Sequence, residues 1–253
     1  MKQKELKALL DKKVNFFNRT SFIKDDPICI PHQFSKKQDI EIAGFFAAIF
    51  AWGIRKTIIN KSKDLLERMD NSPHDFILNH SNKDLKRLLG FKHRTFNDID
   101  LLFLVDVFKK HYTENESLET AFLPSKENPS QQNRLAHFYN YIFSHEHLRR
   151  SEKHISTPAK NSACKRINMY LRWMVRTDNK GVDFGIWQKI KPSDLIIPMD
   201  VHVCRVSEKL GLLDKPKANW KEAVKLTALL RQMDAKDPVK YDFALFGMGV
   251  AEK

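Results

Sequence analysis

The sequence of 253 residues predicts an all-α fold, and three observations support this prediction. Hydrophobic residues make up 42% of the chain, enough to form a core in one large domain or in two lobes. Only 8 residues are glycine, whereas sandwiches and barrels need many glycine-rich turns. The apolar residues recur at the spacing of helices. We therefore expect more than half of the residues to be helical.

The first half of the chain contains four helix patterns. Residues 39–52 are apolar almost all round, which is typical of a helix buried within a domain, and Asp39 is expected to cap it. Residues 57–69 carry one apolar face with several lysines off that face, which indicates a surface helix. The runs 97–112 and 135–143 repeat apolar residues at helical intervals. These four segments predict one helical lobe.

Three more helices are predicted in the second half. One begins near Ser162 and continues to about Arg176, and another covers about 218–232. The last begins at Asp237, a capping residue that is followed by proline at the first helical position. These helices predict a second lobe.

The charge of the chain points to an anionic partner. The formal net charge is +13 and the pI is about 9.6, so the protein attracts phosphates or an anionic membrane surface. No run of 18 apolar residues is present, and the amino terminus is charged and amphipathic. We therefore expect a cytoplasmic, nucleoid-associated protein with no membrane partner. The three cysteines do not have zinc-finger spacing, which predicts reduced thiols and no metal.

One predicted helix carries a basic stripe. On the helical wheel of 162–176, Lys165, Arg172 and Arg176 lie on one side at helical intervals, and Arg166 is adjacent to Lys165. An ordinary amphipathic helix with a solvated basic face would give this pattern. No acidic residue lies within 165–176, however, which favours phosphate contacts by Arg166, Arg172 and Arg176.

The segment IIPMDVHVCRVSEKLGL (196–212) resembles the Pro-Val-Asp-Thr-His-Val-x-Arg segment of the helix-hairpin-helix (HhH-GPD) glycosylase superfamily. Pro198, Asp200, His202 and Arg205 match that pattern, as do three apolar and glycine positions. The resemblance extends over residues 35–250, although this segment is its only specific part. It implies two helical lobes with a central cleft, with Asp200 as a catalytic residue at the start of a helix.

Other parts of the chain resemble the same superfamily. The buried helix and the AWGIRKT sequence after it are similar to its first core helix and to the residues that face the lesion, and FKHR (91–94) is similar to its Gly-Tyr-Arg turn. The whole pattern, including CKRINMYLRWMVR, is still more similar to an uncharacterised bacterial and archaeal family regarded as glycosylase-like.

Two departures from the superfamily are evident. The Leu-Pro-Gly-Val-Gly hairpin is missing, so the fold is expected to have an atypical hairpin, and no four-cysteine array follows the last helices, so no iron–sulfur cofactor is expected. The archaeal 8-oxoguanine glycosylases also have an atypical hairpin, and Lys165, which lies 200 − 165 = 35 residues before Asp200, resembles their catalytic lysine.

These residue types suit cleavage of a glycosidic bond. A neutral lysine can attack the sugar carbon, and a position near a helix start beside Arg166 favours the neutral amine of Lys165. Lys165 could equally bind phosphate, and Lys189 and Lys191 are alternative nucleophiles. Asp200 is a good helix cap, which is compatible with a catalytic role. His202, in the first turn, could contact nucleic acid or satisfy a neighbouring group.

A second group of candidate contacts follows the buried helix. Trp52, Arg55 and Lys56 place an aromatic ring and two cations together, which suits a flipped base and its phosphates. They suit an ordinary helix end equally well, and the same holds for Arg94.

The sequence therefore predicts a monomeric DNA glycosylase of base excision repair that acts on a damaged duplex and has AP-lyase activity. A catalytically silent binder of DNA or RNA is the alternative, and an RNA-processing protein is another. Residues 1–38 are expected to pack on the C-terminal lobe. Residues 39–150 form one lobe in this prediction, and residues 151–253 form the lobe that carries Asp200.

Overall fold

Helices dominate residues 3–125 and 129–251, which are the residues that the structure, a computed structural model, describes. The only sheet among them is a two-stranded hairpin, so the prediction that more than half of the residues are helical is confirmed. Within these ranges, no helix is both long enough and apolar enough to cross a membrane.

The chain forms two units. Unit 1 comprises Met1–Lys24 and Thr157–Lys253, and unit 2 comprises Asp25–Ser156. These boundaries lie at 24 and 156, whereas the sequence analysis placed them at 38 and 150. The first boundary differs because short 3-10 helices at Pro27–Cys29 and Pro31–Gln33 contact the central helix of unit 2, and the second because Arg150 and Ser151 bond Asp100 of that unit.

Unit 2 is built around one buried helix. Its elements in chain order are α2 (Lys37–Ile49), α3 (Arg55–Arg68), α4 (Pro73–Asn79), α5 (Asn82–Lys86), β1 (Lys92–His93), β2 (Phe96–Asn97), α6 (Asp98–Glu114) and α7 (Gln131–Phe143). Phe45 of α2 has its ring centroid 5.0 Å from that of Phe108 and 6.0 Å from that of Phe138, so α2, α6 and α7 share an aromatic core.

The expected cap of the buried helix was wrong. The helix begins two residues before Asp39, and its capping residue is Lys36. The carboxylate of Asp39 instead accepts a hydrogen bond of 2.9 Å from the backbone N–H of His74, in the first turn of α4. The side chain of Asp39 therefore links α2 to α4 and does not cap α2.

Unit 1 contains the remaining helices. They are α1 (Gln3–Phe17), α8 (Lys165–Val175), α9 (Val201–Lys209), α10 (Trp220–Met233) and α11 (Tyr241–Ala251). Two glycines let α11 approach its neighbours. A Cβ atom on Gly247 would overlap the ring of Phe17, and one on Gly249 would lie 2.8 Å from Cβ of His202. The sequence FGMG therefore packs α11 closely against α1 and α9.

The second half of α8 carries a buried ion network. Arg172 and Arg176 are 4% and 3% exposed. The guanidinium of Arg172 donates to Asp183 and to Asp242 of α11, and that of Arg176 donates to Asp183, also contacting Asp178 and Asp237. These carboxylates, four in all, come from the segment after α8 and from the last helical region.

The prediction that Arg172 and Arg176 bind phosphate is therefore wrong. Neither guanidinium is available to a ligand, because both are enclosed by carboxylates and by the ring of Phe243, whose centroid lies 4.3 Å from Cζ of Arg172. The absence of acids within 165–176 was misleading, since the neutralising acids lie later in the chain.

Breaking this network should destabilise the protein. Arg176→Gln leaves three carboxylates without their shared cation, and we expect the free energy of unfolding to fall by about 3 to 5 kcal/mol. The exposed Lys180→Gln serves as the control and should change it by less than about 0.5 kcal/mol. Urea denaturation followed by circular dichroism measures both, and equal effects of the two substitutions would contradict the structural role of Arg176.

Candidate active site

Asp200 begins helix α9. Its backbone is extended, and its Oδ1 atom accepts the N–H of His202 at 2.9 Å and of Val203 at 3.0 Å. Two of the otherwise unpaired N–H groups at the helix start are satisfied by one oxygen. The prediction that Asp200 lies at a helix N-terminus is confirmed. The helix cap uses only the Oδ1 atom of Asp200, so the Oδ2 atom takes no part in capping.

Lys165 is the partner of the second oxygen. It is the first residue of α8, and its Nζ lies 3.7 Å from Oδ2 of Asp200. The side chains are 26% and 19% exposed, so both remain accessible from solvent. Lys165 follows Cys164, which has a left-handed backbone with φ of 51°, and this sharp turn sets the direction in which α8 begins. Tertiary structure thus brings an amine and a carboxylate together at the starts of two helices.

Helix α11 lies behind this pair. The ring centroid of Phe246 is 5.8 Å from Nζ of Lys165, which gives the amine an apolar and aromatic neighbour. One turn earlier, Asp242 is buried and bonded to Arg172, and burial raises the pKa of its carboxyl to about 6, with the charge of Asp200 acting in the same direction. In the described chain, its Oδ1 atom has no hydrogen-bond partner.

Neither Asp242 nor Phe246 was predicted from the sequence as a site residue. A signal was present, because an aspartate within the apolar run YDFALF must either be paired or face a functional group. Which of the two applies to Asp242 depends on Arg172, 70 residues away in the chain. No local pattern contains that information.

His202 and Arg166 are the two other predicted nucleic-acid contacts in unit 1, and both are partly enclosed by the protein. Nδ1 of His202 lies 3.1 Å from the carbonyl oxygen of Gly249, which matches the interpretation of His202 as a polar residue that satisfies a neighbour. Arg166 is half-buried, and burial lowers the pKa of its guanidinium to about 10. The alternative nucleophiles Lys189 and Lys191 are exposed in the irregular segment before the 3-10 helix Pro192–Asp194.

The candidate contacts of unit 2 also form a defined group. Cζ of Arg94 lies 4.5 Å from the ring centroid of Trp52, so the guanidinium covers the indole. Arg94 has a left-handed backbone in the turn between β1 and β2, and Gly53, with φ of 113°, gives its guanidinium space. Arg55 begins α3 immediately after this loop.

The group is exposed in part. Arg94 and Lys56 are exposed, whereas Trp52 and Arg55 are half-buried. One face of the Trp52 ring is already covered by the guanidinium of Arg94.

No metal centre is evident in the part of the chain that the structure describes, where no three His, Cys, Asp or Glu side chains are placed to hold an ion. Cys29, Cys164 and Cys204 are all free thiols.

The fold and this pair define a helical protein that holds a lysine amine beside a helix-capping carboxylate. Residues 26–251 match the family model described as Protein of unknown function (DUF2400), and the chain belongs to that family. A search of curated proteins found no match, and neither did a search of solved structures.

One oxygen of Asp200 caps α9 and the other faces Lys165, so substitution by alanine and by asparagine should change the free energy of unfolding by different amounts. Asp200→Ala removes the cap and should lower the free energy of unfolding by about 1 kcal/mol. Asp200→Asn retains an oxygen acceptor for His202 and Val203 and should stay within about 0.5 kcal/mol of the wild type. Urea denaturation measures both values. An equal loss in the two variants would show that the negative charge, rather than the cap, is what stabilises the helix.

The raised pKa of Asp242 predicts pH-dependent stability. An unfolded aspartate releases its proton at about pH 4, whereas folded Asp242 keeps it until about pH 6. Between these values the folded state binds more protons, so the contribution of Asp242 to the free energy of unfolding falls as pH rises. Asp242→Asn stays neutral, and its stability relative to the wild type should increase across this interval by about 3 kcal/mol. Denaturation curves measured from pH 4 to 7 would contradict this if the difference stayed constant.

Proposed function

We propose that this protein is a DNA glycosylase of base excision repair with AP-lyase activity, in which Lys165 is the nucleophile and Asp200 the assisting carboxylate. The observation that carries the proposal is the distance of 3.7 Å between Nζ of Lys165 and Oδ2 of Asp200, with both side chains partly exposed. A nucleophile and an acid–base group must act on the same small volume, and this pair satisfies that requirement.

The reaction assigns one task to each group. Asp200 accepts a proton from Lys165, and the neutral amine bonds to C1′ of the nucleoside as the glycosidic bond breaks. The base leaves with the bonding electron pair and takes the proton from Asp200, which is then an anion again. The bound nitrogen passes a proton to O4′ as the C1′–O4′ bond breaks, which opens the sugar and gives a protonated Schiff base. Loss of a proton from C2′ expels the 3′ phosphate by β-elimination, which nicks the strand.

Asp200 also suits the charge that develops during this reaction. The sugar becomes cationic as the base departs, and an anion near C1′ stabilises that charge. The capping bonds from His202 and Val203 hold Oδ1, so Oδ2 stays oriented toward Lys165. A preoriented carboxylate does not have to reorganise in the transition state.

Aromatic groups within each unit, taken separately, support the same assignment. The ring of Phe246 gives the amine an apolar and aromatic neighbour on one side. In unit 2, the Trp52 and Arg94 group combines an aromatic surface with a cation, which are the groups used to contact unstacked bases and their phosphates.

Borohydride trapping tests the proposal directly. With an abasic duplex, the wild type should form a covalent complex, and Lys165→Gln should abolish trapping while the dissociation constant for the duplex changes less than about threefold. Asp200→Asn should slow release of a damaged base by at least about a hundredfold. The exposed lysines supply matched controls, so Lys189→Gln and Lys191→Gln should trap as the wild type does.

Other outcomes identify other functions. Trapping that persists in Lys165→Gln would move the nucleophile to another lysine. A wild type that binds duplex DNA but neither traps nor releases any base from a broad lesion panel would be a catalytically silent binder. Preference for a ribose-containing substrate would indicate an RNA-processing protein.

A further inference from the structure

The positive charge of the protein is concentrated in one unit. Unit 1 contains 25 Lys and Arg against 13 Asp and Glu, a net charge of +12, whereas unit 2 contains 19 against 18, a net charge of +1. Nearly all of the +13 of the whole chain therefore belongs to the unit that carries Lys165 and Asp200. A polyanion would be attracted to unit 1 far more strongly than to unit 2.

Outside the ion network, unit 1 is more basic still. The network pairs two arginines with four aspartates and has a net charge of −2 itself. The other charged residues of unit 1 are 23 cations against 9 anions, a net charge of +14.

Part of this charge is gathered beside the candidate active site. An antiparallel bridge pairs Ser162 with Asn219, and the N–H of Trp220 donates to the carbonyl oxygen of Asn161 at 3.4 Å. The segment that leads into α8 therefore runs beside the segment that leads into α10. Lys165 is only three residues beyond the bridge, at the start of α8.

Three exposed lysines lie on the two sides of the bridge. Lys160 is two residues before Ser162, and Lys217 and Lys221 flank Asn219; we call these three residues the bridge lysines. Within the described ranges, neither Lys217 nor Lys221 has a carboxylate within 4.0 Å.

We infer that the bridge lysines form a binding surface for the phosphodiester backbone and hold a DNA strand next to Lys165 and Asp200. The inference rests on the proposed function. Duplex DNA carries one negative charge per about 1.7 Å of its axis, so exposed ammonium groups on neighbouring segments match its charge density. Flexible lysine side chains bind phosphate as point charges, without reading base sequence.

The test compares two triple variants of equal charge. The first is Lys160→Gln, Lys217→Gln and Lys221→Gln. The second replaces three exposed lysines elsewhere in unit 1 by Lys4→Gln, Lys12→Gln and Lys180→Gln. Fluorescence anisotropy measures their affinity for a duplex that contains a stable abasic analogue, from 50 to 300 mM NaCl. The double variant Lys217→Gln and Lys221→Gln is included in case loss of Lys160 disturbs folding.

We expect the bridge variant to bind at least about tenfold more weakly at low salt, and the slope of log affinity against log salt to fall by about 2 to 3 units. The control variant should change affinity less than about threefold. Equal weakening in both variants would overturn the inference, because only total charge would then matter. So would loss of binding to anionic phosphatidylglycerol vesicles, with DNA binding unchanged.

Trapping separates this inference from the proposed function. At saturating protein and low salt, the bridge variant should still form the borohydride complex, since Lys165 is intact. A wild type that does not trap, together with a bridge variant that binds DNA weakly, would refute the enzyme and retain the surface. Unchanged DNA binding by the bridge variant, together with normal trapping, would refute the surface and retain the enzyme.

Discussion

Unit 1 depends on the ion network that Arg172 and Arg176 form inside it. The guanidinium groups of Arg172, in the last turn of α8, and of Arg176, which follows that helix, both contact Asp183. Arg172 also contacts Asp242, and Arg176 also contacts Asp178 and Asp237. Charges as deeply buried as these are tolerated only when they are paired and hydrogen-bonded. The network therefore specifies how α8, the segment after it and α11 must pack, because any other arrangement leaves a charge unpaired.

The candidate active site is built on that arrangement. Lys165 begins the helix that carries Arg172, and Asp242 and Phe246 lie on the helix that Arg172 bonds. The network thus fixes the positions of the amine and of two groups near it. Asp200 reaches the same place from α9, which packs against α11 through Gly249 and is oriented by its own capping bonds. A lysine and a carboxylate that face each other are here a consequence of helix packing around buried charge.

The network also shapes the electrostatic field of the unit. Because four aspartates are engaged internally, the remaining residues of unit 1 are more basic than its net charge of +12 indicates. The arginines that the sequence suggested as phosphate ligands instead pair with these aspartates.

The sequence by itself determined the helical class, the buried helix α2 and the start of α9 at Asp200, because periodicity and capping depend on residues a few positions apart. It also singled out Lys165 and Asp200, although as separate residues linked only by resemblance. Tertiary structure alone decided that their side chains lie 3.7 Å apart, that Arg172 and Arg176 are buried, and that Asp242 lies behind the pair. Those outcomes depend on charges that are up to 70 residues apart in the chain, and local pattern does not report which acid will neutralise which base.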